Sequence, residues 1–330
     1  MSELRRDPIT GRTVIIAPER LRPMALPLET LRGGSCPFCE GREAIAGREI
    51  LAWRTPDHPH NGGGWRVRVV PNREPALRVE SHYAEPADAL FQRLGGLGAH
   101  EVIIESPDHG ANWSTMTAYD LRVVLWAWRE RIRDLRRDVR LKSFLIVKNV
   151  GAAAGATLDH AHSQLVALPF VPQHLEDERA GARARHDDTG SCAFCAVVDE
   201  EVRGGSRLVS TDDNTIAFTP FASRVPFETW VMSRRHGAAF DEETDEGLSA
   251  VAERLSDTLR RLYVALAAPP HTVLLHTAPV GEADRSSYHW HLEIIPRLSA
   301  ESGLAWDGGI HVNPVAPEDA ARHLRDSRRP

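Results

Sequence analysis

Two Cys-x-x-Cys pairs, each followed by histidines at matching intervals, divide this chain into two copies of one plan. That repetition limits what it can fold into more than any other feature. The first copy runs Cys36-Pro-Phe-Cys39, then an apolar strand-like run Glu101-Val-Ile-Ile-Glu105 ending in Ser-Pro-Asp-His109. A helical stretch follows, then the strand Ser143-Phe-Leu-Ile-Val147 and His160-Ala-His162. The second copy runs Cys192-Ala-Phe-Cys195, then Glu228-Thr-Trp-Val-Met232 ending in Ser-Arg-Arg-His236. It too continues with a helix, Thr272-Val-Leu-Leu275 and His289-Trp-His291. His109 to His160 is 51 positions and His236 to His289 is 53, so the spacing repeats along with the order.

Both intervening stretches carry apolar residues at the 3.6-residue period of a helix. They are Leu121, Val124, Leu125, Trp128, Ile132 and Leu135 in one copy, and Leu248, Val251, Leu255, Leu259 and Leu262 in the other. Each stripe predicts a helix packed on a sheet. The expected fold class is α+β: two similar antiparallel sheets, each with helices on it. Pro172–Gly190, polar and charged between Pro and Gly, is expected to separate a first domain over 1–175 from a second over 185–330.

A net charge of −6 argues against a nucleic-acid partner or an anionic membrane surface, since no global positive field would hold either. It leaves room for a nucleotide, which a few Arg side chains and backbone amides can hold. No run approaches the ~18 apolar residues of a membrane span. The opening Met-Ser-Glu-Leu-Arg-Arg-Asp-Pro lacks the apolar core of a signal peptide, so a cytoplasmic location is expected.

In a reducing compartment, paired cysteines read as metal binding or redox chemistry before disulfides. Zinc takes four tetrahedral ligands from thiolates and imidazoles. One structural site is assigned to Cys36, Cys39, His109 and His160, the other to Cys192, Cys195, His236 and His289. In the second, His291 or His276 could replace His289, and only the repeat prefers His289. A redox pair would need its first cysteine at a helix N-terminus after a strand. A reduced pair without metal is the plainest alternative.

The segment Lys148-Asn-Val-Gly-Ala-Ala-Ala-Gly-Ala-Thr-Leu-Asp-His-Ala-His-Ser-Gln164 carries the chemistry. A strand enters a loop of small residues, Gly151 to Thr157, whose amides can approach a phosphate closely. In the extended stretch that follows, His160, His162 and Gln164 share one side. Imidazole attacks phosphorus at neutral pH and leaves again readily, which suits transfer through a covalent intermediate on His162. Gln164 could donate to a phosphoryl oxygen. No G-K-[ST] follows the loop and no G-x-G-x-x-G opens a helix, so it is neither a P-loop nor a dinucleotide fold.

At these residues the sequence resembles the tandem-domain branch of the histidine-triad superfamily, the galactose-1-phosphate uridylyltransferases. The likeness runs through Arg6-Asp-Pro-Ile-Thr-Gly-Arg-Thr-Val-Ile, Val70-Pro-Asn-Arg-Glu-Pro-Ala-Leu77, the histidine motif and Tyr288-His-Trp-His-Leu-Glu-Ile-Ile-Pro296. It implies two tandem histidine-triad-like domains, a homodimer, two zinc ions per chain, and transfer of UMP from a nucleotide sugar to a sugar 1-phosphate through His162. It places Asn72, Asn149, Gly155, Thr157 and Gln164 on the nucleotide and Arg20 on a phosphate. The motif His160-Ala-His162-Ser-Gln164 departs from the family's His-Pro-His-Gly-Gln. The paired metal sites and the tail Val312-Asn-Pro-Val-Ala-Pro-Glu-Asp319 also resemble ADP-glucose phosphorylases. Phosphorolysis or hydrolysis of a nucleotide sugar is therefore the second expectation, and a non-catalytic, metal-stabilised nucleotide-binding protein the third.

Overall fold

The computed structural model describes residues 2–9, 12–18, 36–82, 90–281, 285–299 and 303–327. In chain order the strands are β1 Glu3–Arg6, β2 Thr13–Ile16, β3 Leu51–Arg54, β4 Trp65–Pro71, β5 Arg93–Gly95, β6 Ala99–Ile104, β7 Ser143–Val150 and β8 His162–Leu168. They continue with β9 Leu208–Thr211, β10 Thr215–Phe218, β11 Thr229–Ser233, β12 His271–His276 and β13 His291–Pro296. The helices are α1 Glu43–Ala46, α2 Ala118–Leu135, α3 Gln173–Thr189, α4 Ala193–Gly204, α5 Asp245–Ala265, α6 Gly303–Gly308 and α7 Pro317–Asp326.

The two copies share one antiparallel sheet of ten strands, ordered β3-β4-β6-β8-β7-β12-β13-β11-β10-β9. Read from either end, the order is the same plan, so a pseudo-twofold axis passes between β7 and β12. There Val147 faces Leu274, flanked by Ile146 opposite Leu275 and Lys148 opposite Val273. Edge strands left bare invite pairing, and here each copy covers the other's edge. The expected pair of separate sheets is therefore fused into one.

α2 and α5 lie on one face, and their apolar stripes join the sheet in a single core spanning both copies. Leu121, Val124, Leu125, Trp128 and Ile132 are buried on α2, and Leu248, Val251, Leu255, Leu259 and Leu262 on α5. Each helix starts at a threonine. Thr117 forms a reciprocal capping box with Asp120, and Thr244 accepts the Gly247 amide. Burying a Leu or Val contributes about 1.5–3 kcal/mol, so these stripes are a substantial part of what holds the helices to the sheet. A small sheet, β2-β1-β5, completes the N-terminal region.

The segment expected to separate the two copies is a helix, α3, with Pro172 as its N-cap and Gly190 in the left-handed conformation at its C-cap. The Pro and Gly that suggested a boundary are start and stop signals. No helix among the described residues is long and apolar enough to cross a membrane.

Candidate active site

Residues of β8 alternate between the two sheet faces. Ser163, Leu165 and Ala167 turn toward α2, where the Trp128 indole donates to Ser163 Oγ at 2.8 Å. His162 and Gln164 turn to the other face, into a cavity of about 450 Å3 lined also by Phe38, Asn72, Val102, Gly155 and Thr157. A larger groove of about 870 Å3, between Trp53, Tyr119 and Asp108, is lined by none of the expected site residues.

His162 is buried, and its Nδ1 lies 2.8 Å from the carbonyl oxygen of His160. A carbonyl only accepts, so the proton sits on Nδ1 and Nε2 keeps its lone pair. Burial pushes this imidazole down to about 4, opposed by the bond to His160 and helped by the charge of Lys148. It is therefore neutral at pH 7, the form that attacks phosphorus. Phe38, from the first cysteine loop, packs against the ring at 5.4 Å between centroids.

Gln164 is oriented by a residue with no motif around it, His100 on β6. The Ala76 amide donates to His100 Nδ1 at 3.0 Å, which makes Nε2 the N–H that donates to Gln164 Oε1 at 2.7 Å. Asn72 Nδ2 reaches the same oxygen at 3.4 Å. With its oxygen engaged, the Gln164 amide nitrogen is the end left to meet a phosphoryl oxygen.

The small-residue loop leaves β7 through Gly151 and closes through Gly155, both at positive φ, 79° and 84°. At Gly151 a Cβ would also meet Pro270 at 3.2 Å, so glycine serves twice there. Asn149 stands behind the loop, its Nδ2 3.6 Å from where a Gly155 Cβ would lie. Arg20 lies outside the described residues. Asn313 donates to the Ser223 carbonyl at 3.0 Å and does not line the cavity.

The ligand atoms of Cys36, Cys39, His109 and His160 all lie within 4.8 Å of one another, and so do those of Cys192, Cys195, His236 and His289. In both clusters the imidazoles present Nδ1 to sulfur: 3.6 Å for His160 to Cys36, 3.6 Å for His109 to Cys39 and 3.3 Å for His236 to Cys195. A tetrahedral ion with S and N ligands at about 2.3 and 2.0 Å spaces them by about 3.5 Å. His160 Nε2 donates to the Ser106 carbonyl at 2.7 Å, which fixes the tautomer with its Nδ1 lone pair toward the thiols. Burial, with Cys36 adding to it, raises the Cys39 thiol above its ordinary value. A cation would relieve that.

The second copy places His291 where the first has His162, and fills the space around it. Register puts Trp230 at the position of Val102, His276 at that of Asn149 and Glu293 at that of Gln164. His291 is sandwiched between Trp230 and His276, with ring centroids at 4.4 and 4.7 Å. From α3, Glu178 binds His276 Nδ1 at 2.8 Å and accepts from the Tyr288 hydroxyl at 2.5 Å. A carboxylate, Glu293, held by Arg224, stands where a phosphate would need a donor. Glu178 and Glu293 bring two further ligand clusters together through His276, one with His174 and one with His291.

Residues 65–172 match the model of the galactose-1-phosphate uridyl transferase N-terminal domain. ADP-glucose phosphorylase of Arabidopsis thaliana is 33% identical, over 98% of this chain and 92% of that protein. The chain belongs to the galactose-1-phosphate uridylyltransferase family. Another relative in the family is the galactose-1-phosphate uridylyltransferase of Thermotoga maritima, 27% identical over 99% of both chains. Among solved structures, a uridylyltransferase superposes with a TM-score of 0.81 at 28% identity, covering 98% of each chain. The Arabidopsis ADP-glucose phosphorylase with bound ADP-glucose gives 0.77 at 32%, covering 99% of this chain and 98% of that one.

Proposed function

We propose that this protein is a nucleotidyltransferase that carries a nucleoside monophosphate on His162 between a nucleotide sugar and a phosphate-bearing acceptor. The observation that carries this reading is the His162 ring itself. Its Nδ1 proton is fixed on the His160 carbonyl, and the ring lines a cavity beside Gln164, Asn72, Gly155 and Thr157. In the first step Nε2 attacks the α-phosphorus, the bond to the β-phosphate oxygen breaks, and sugar 1-phosphate leaves. In the second an acceptor phosphate oxygen attacks the same phosphorus and the N–P bond breaks, restoring the imidazole. Gln164 and the loop amides stabilise the charge that builds on the phosphoryl oxygens, with Asn72 and Asn149 as nucleotide contacts and Arg20 as a phosphate contact.

The favoured donor and acceptor are a UDP-sugar and a hexose 1-phosphate, supported by relatives in several organisms named galactose-1-phosphate uridylyltransferase. A second reading, phosphorolysis of an ADP-sugar, is favoured by the higher identity to the Arabidopsis ADP-glucose phosphorylase. Each four-residue cluster holds a structural zinc ion. We take the chain to act as a cytoplasmic homodimer of two repeats, 1–175 and 185–330. Incubation with UDP-glucose and ADP-glucose labelled in the α-phosphate tests the common chemistry: label should remain on the protein. No label from either donor rejects it. Acceptor dependence then separates the readings, since a hexose 1-phosphate alone discharges a uridylyl-enzyme, whereas inorganic phosphate discharges an adenylyl-enzyme.

A further inference from the structure

On the helix-covered face, directly behind the His162 backbone, the apolar core is interrupted by a buried ion pair. Lys148 lies in the same row of β7 as Phe144 and Ile146, and its ammonium binds the Glu105 carboxylate, their side chains 2% and 0% exposed. The Trp113 indole donates to the same carboxylate at 2.8 Å, and Lys148 Nζ sits 4.9 Å above the Trp113 ring. Desolvating two charges is expensive, and an apolar pair of similar volume is often as stable or more so. The molecule carries its own control. Strand register places Leu275 where the first copy has Lys148, Ser233 where it has Glu105 and Leu292 where it has Ser163. The fold closes at that position without charge.

The two copies also differ in how their strands pair. In the second, β12 and β13 stay paired as far as His276 opposite His291. In the first, β7 and β8 part after Val147 opposite Gln164, two residues short of the position opposite His162. The strands diverge there to make room for the loop from Gly151 to Thr157. Where backbone pairing stops, Lys148 Nζ lies 3.3 Å from the His162 carbonyl and the Glu105 amide donates to the Ala161 carbonyl at 3.1 Å.

We infer that Lys148, anchored by Glu105, is a positioning residue for His162: its ammonium replaces the missing strand hydrogen bond and holds the nucleophile's backbone while β7 and β8 part around the phosphate loop. The inference rests on His162 being the nucleophile. The imidazole is tied to the His160 carbonyl, so its aim is set by the backbone of 160–162, and misplacement by about 1 Å can cost on the order of 100-fold.

The test gives the first copy the second copy's own residues, Lys148→Leu with Glu105→Ser, and uses Lys148→Met with Glu105→Gln as a second variant that keeps both side-chain shapes. Single-turnover labelling of the full chain with α-phosphate-labelled UDP-glucose and ADP-glucose should slow by about 10- to 100-fold. Donor affinity, measured by equilibrium binding in a His162→Gly background with and without the swap, should change less than about twofold. Labelling at the native rate in either folded variant overturns the inference, and so does a loss of donor affinity equal to the loss of rate. Native protein that takes no label overturns instead the reading of His162, so the two failures are distinct.

Discussion

The ring of His291 stacks on Trp230 with centroids 4.4 Å apart and planes at 25°, and on His276 at 4.7 Å, so the second copy's counterpart of His162 has no open face. Of the two histidine motifs, then, only the first leaves its ring open to a cavity, at His162.

Label from a nucleotide sugar should reach a stoichiometry of one per chain. His162→Gly should abolish it and lower turnover by roughly 10^4-fold or more, with melting temperature little changed. His291→Gly should leave label on His162. Peptide mapping of the labelled protein checks both, and label on a second histidine would contradict the assignment.

Native protein should carry two zinc ions by elemental analysis, and Cys36→Ser should leave one. Structural zinc contributes about 10–16 kcal/mol in isolated finger peptides. Here the large core carries much of the stability, so the variant should fold but melt lower. Because His160 precedes His162 by two residues, it should also lose labelling rate. Unchanged metal content would remove Cys36 from the ligand set.

His100→Phe keeps a ring of similar size but removes the donor to Gln164 Oε1. Freed from that bond, the amide can turn, and kcat should fall by roughly 10- to 100-fold with donor affinity nearly preserved. Equal rates in the variant and the native enzyme would show that Gln164 is held by other means.

The α3 staple should leave a pH signature. Glu178 is buried, yet His276 and Tyr288 hold its carboxyl down to about 2, so its stabilisation is full above about 4.5 and is lost as pH falls toward 2. His276 is likewise buried, yet Glu178 and Glu293 hold its imidazole up to about 10. Its stabilisation is full below about 6.5 and is lost as pH rises toward 10. The stability difference between native protein and Glu178→Gln should therefore peak near pH 4.5–6.5, at about 3–5 kcal/mol for a broken buried pair, and narrow on both sides. Denaturant titrations across that range check it, and a flat difference would refute the pairing.

The repeat, the two apolar helix stripes and the grouping of cysteines with histidines were legible because each depends on residue type at a fixed interval. Joining of β7 to β12 was not, since backbone pairing between edges leaves no local mark on side chains. The run from Pro172 to Gly190 reads in sequence as a boundary between the copies because it is polar almost all round, and as α3 it buries only Leu175 and Ala182. Its partners, His276 and Tyr288, lie about a hundred positions away. His100 carries no sequence signal for a similar reason: a lone histidine in a strand gives no hint that its ring nitrogens are shared between Ala76 and Gln164.

The seam at Val147 and Leu274 makes the second copy a structural wall for the first. β12 runs alongside β7 to Val150, and Pro270 closes against Gly151 at the mouth of the loop. Drift in the second copy is thus restrained by the shape of the cavity beside it, since Pro270 and His271, far from His162 in the chain, lie against Gly151 and Val150, where the small-residue loop leaves β7.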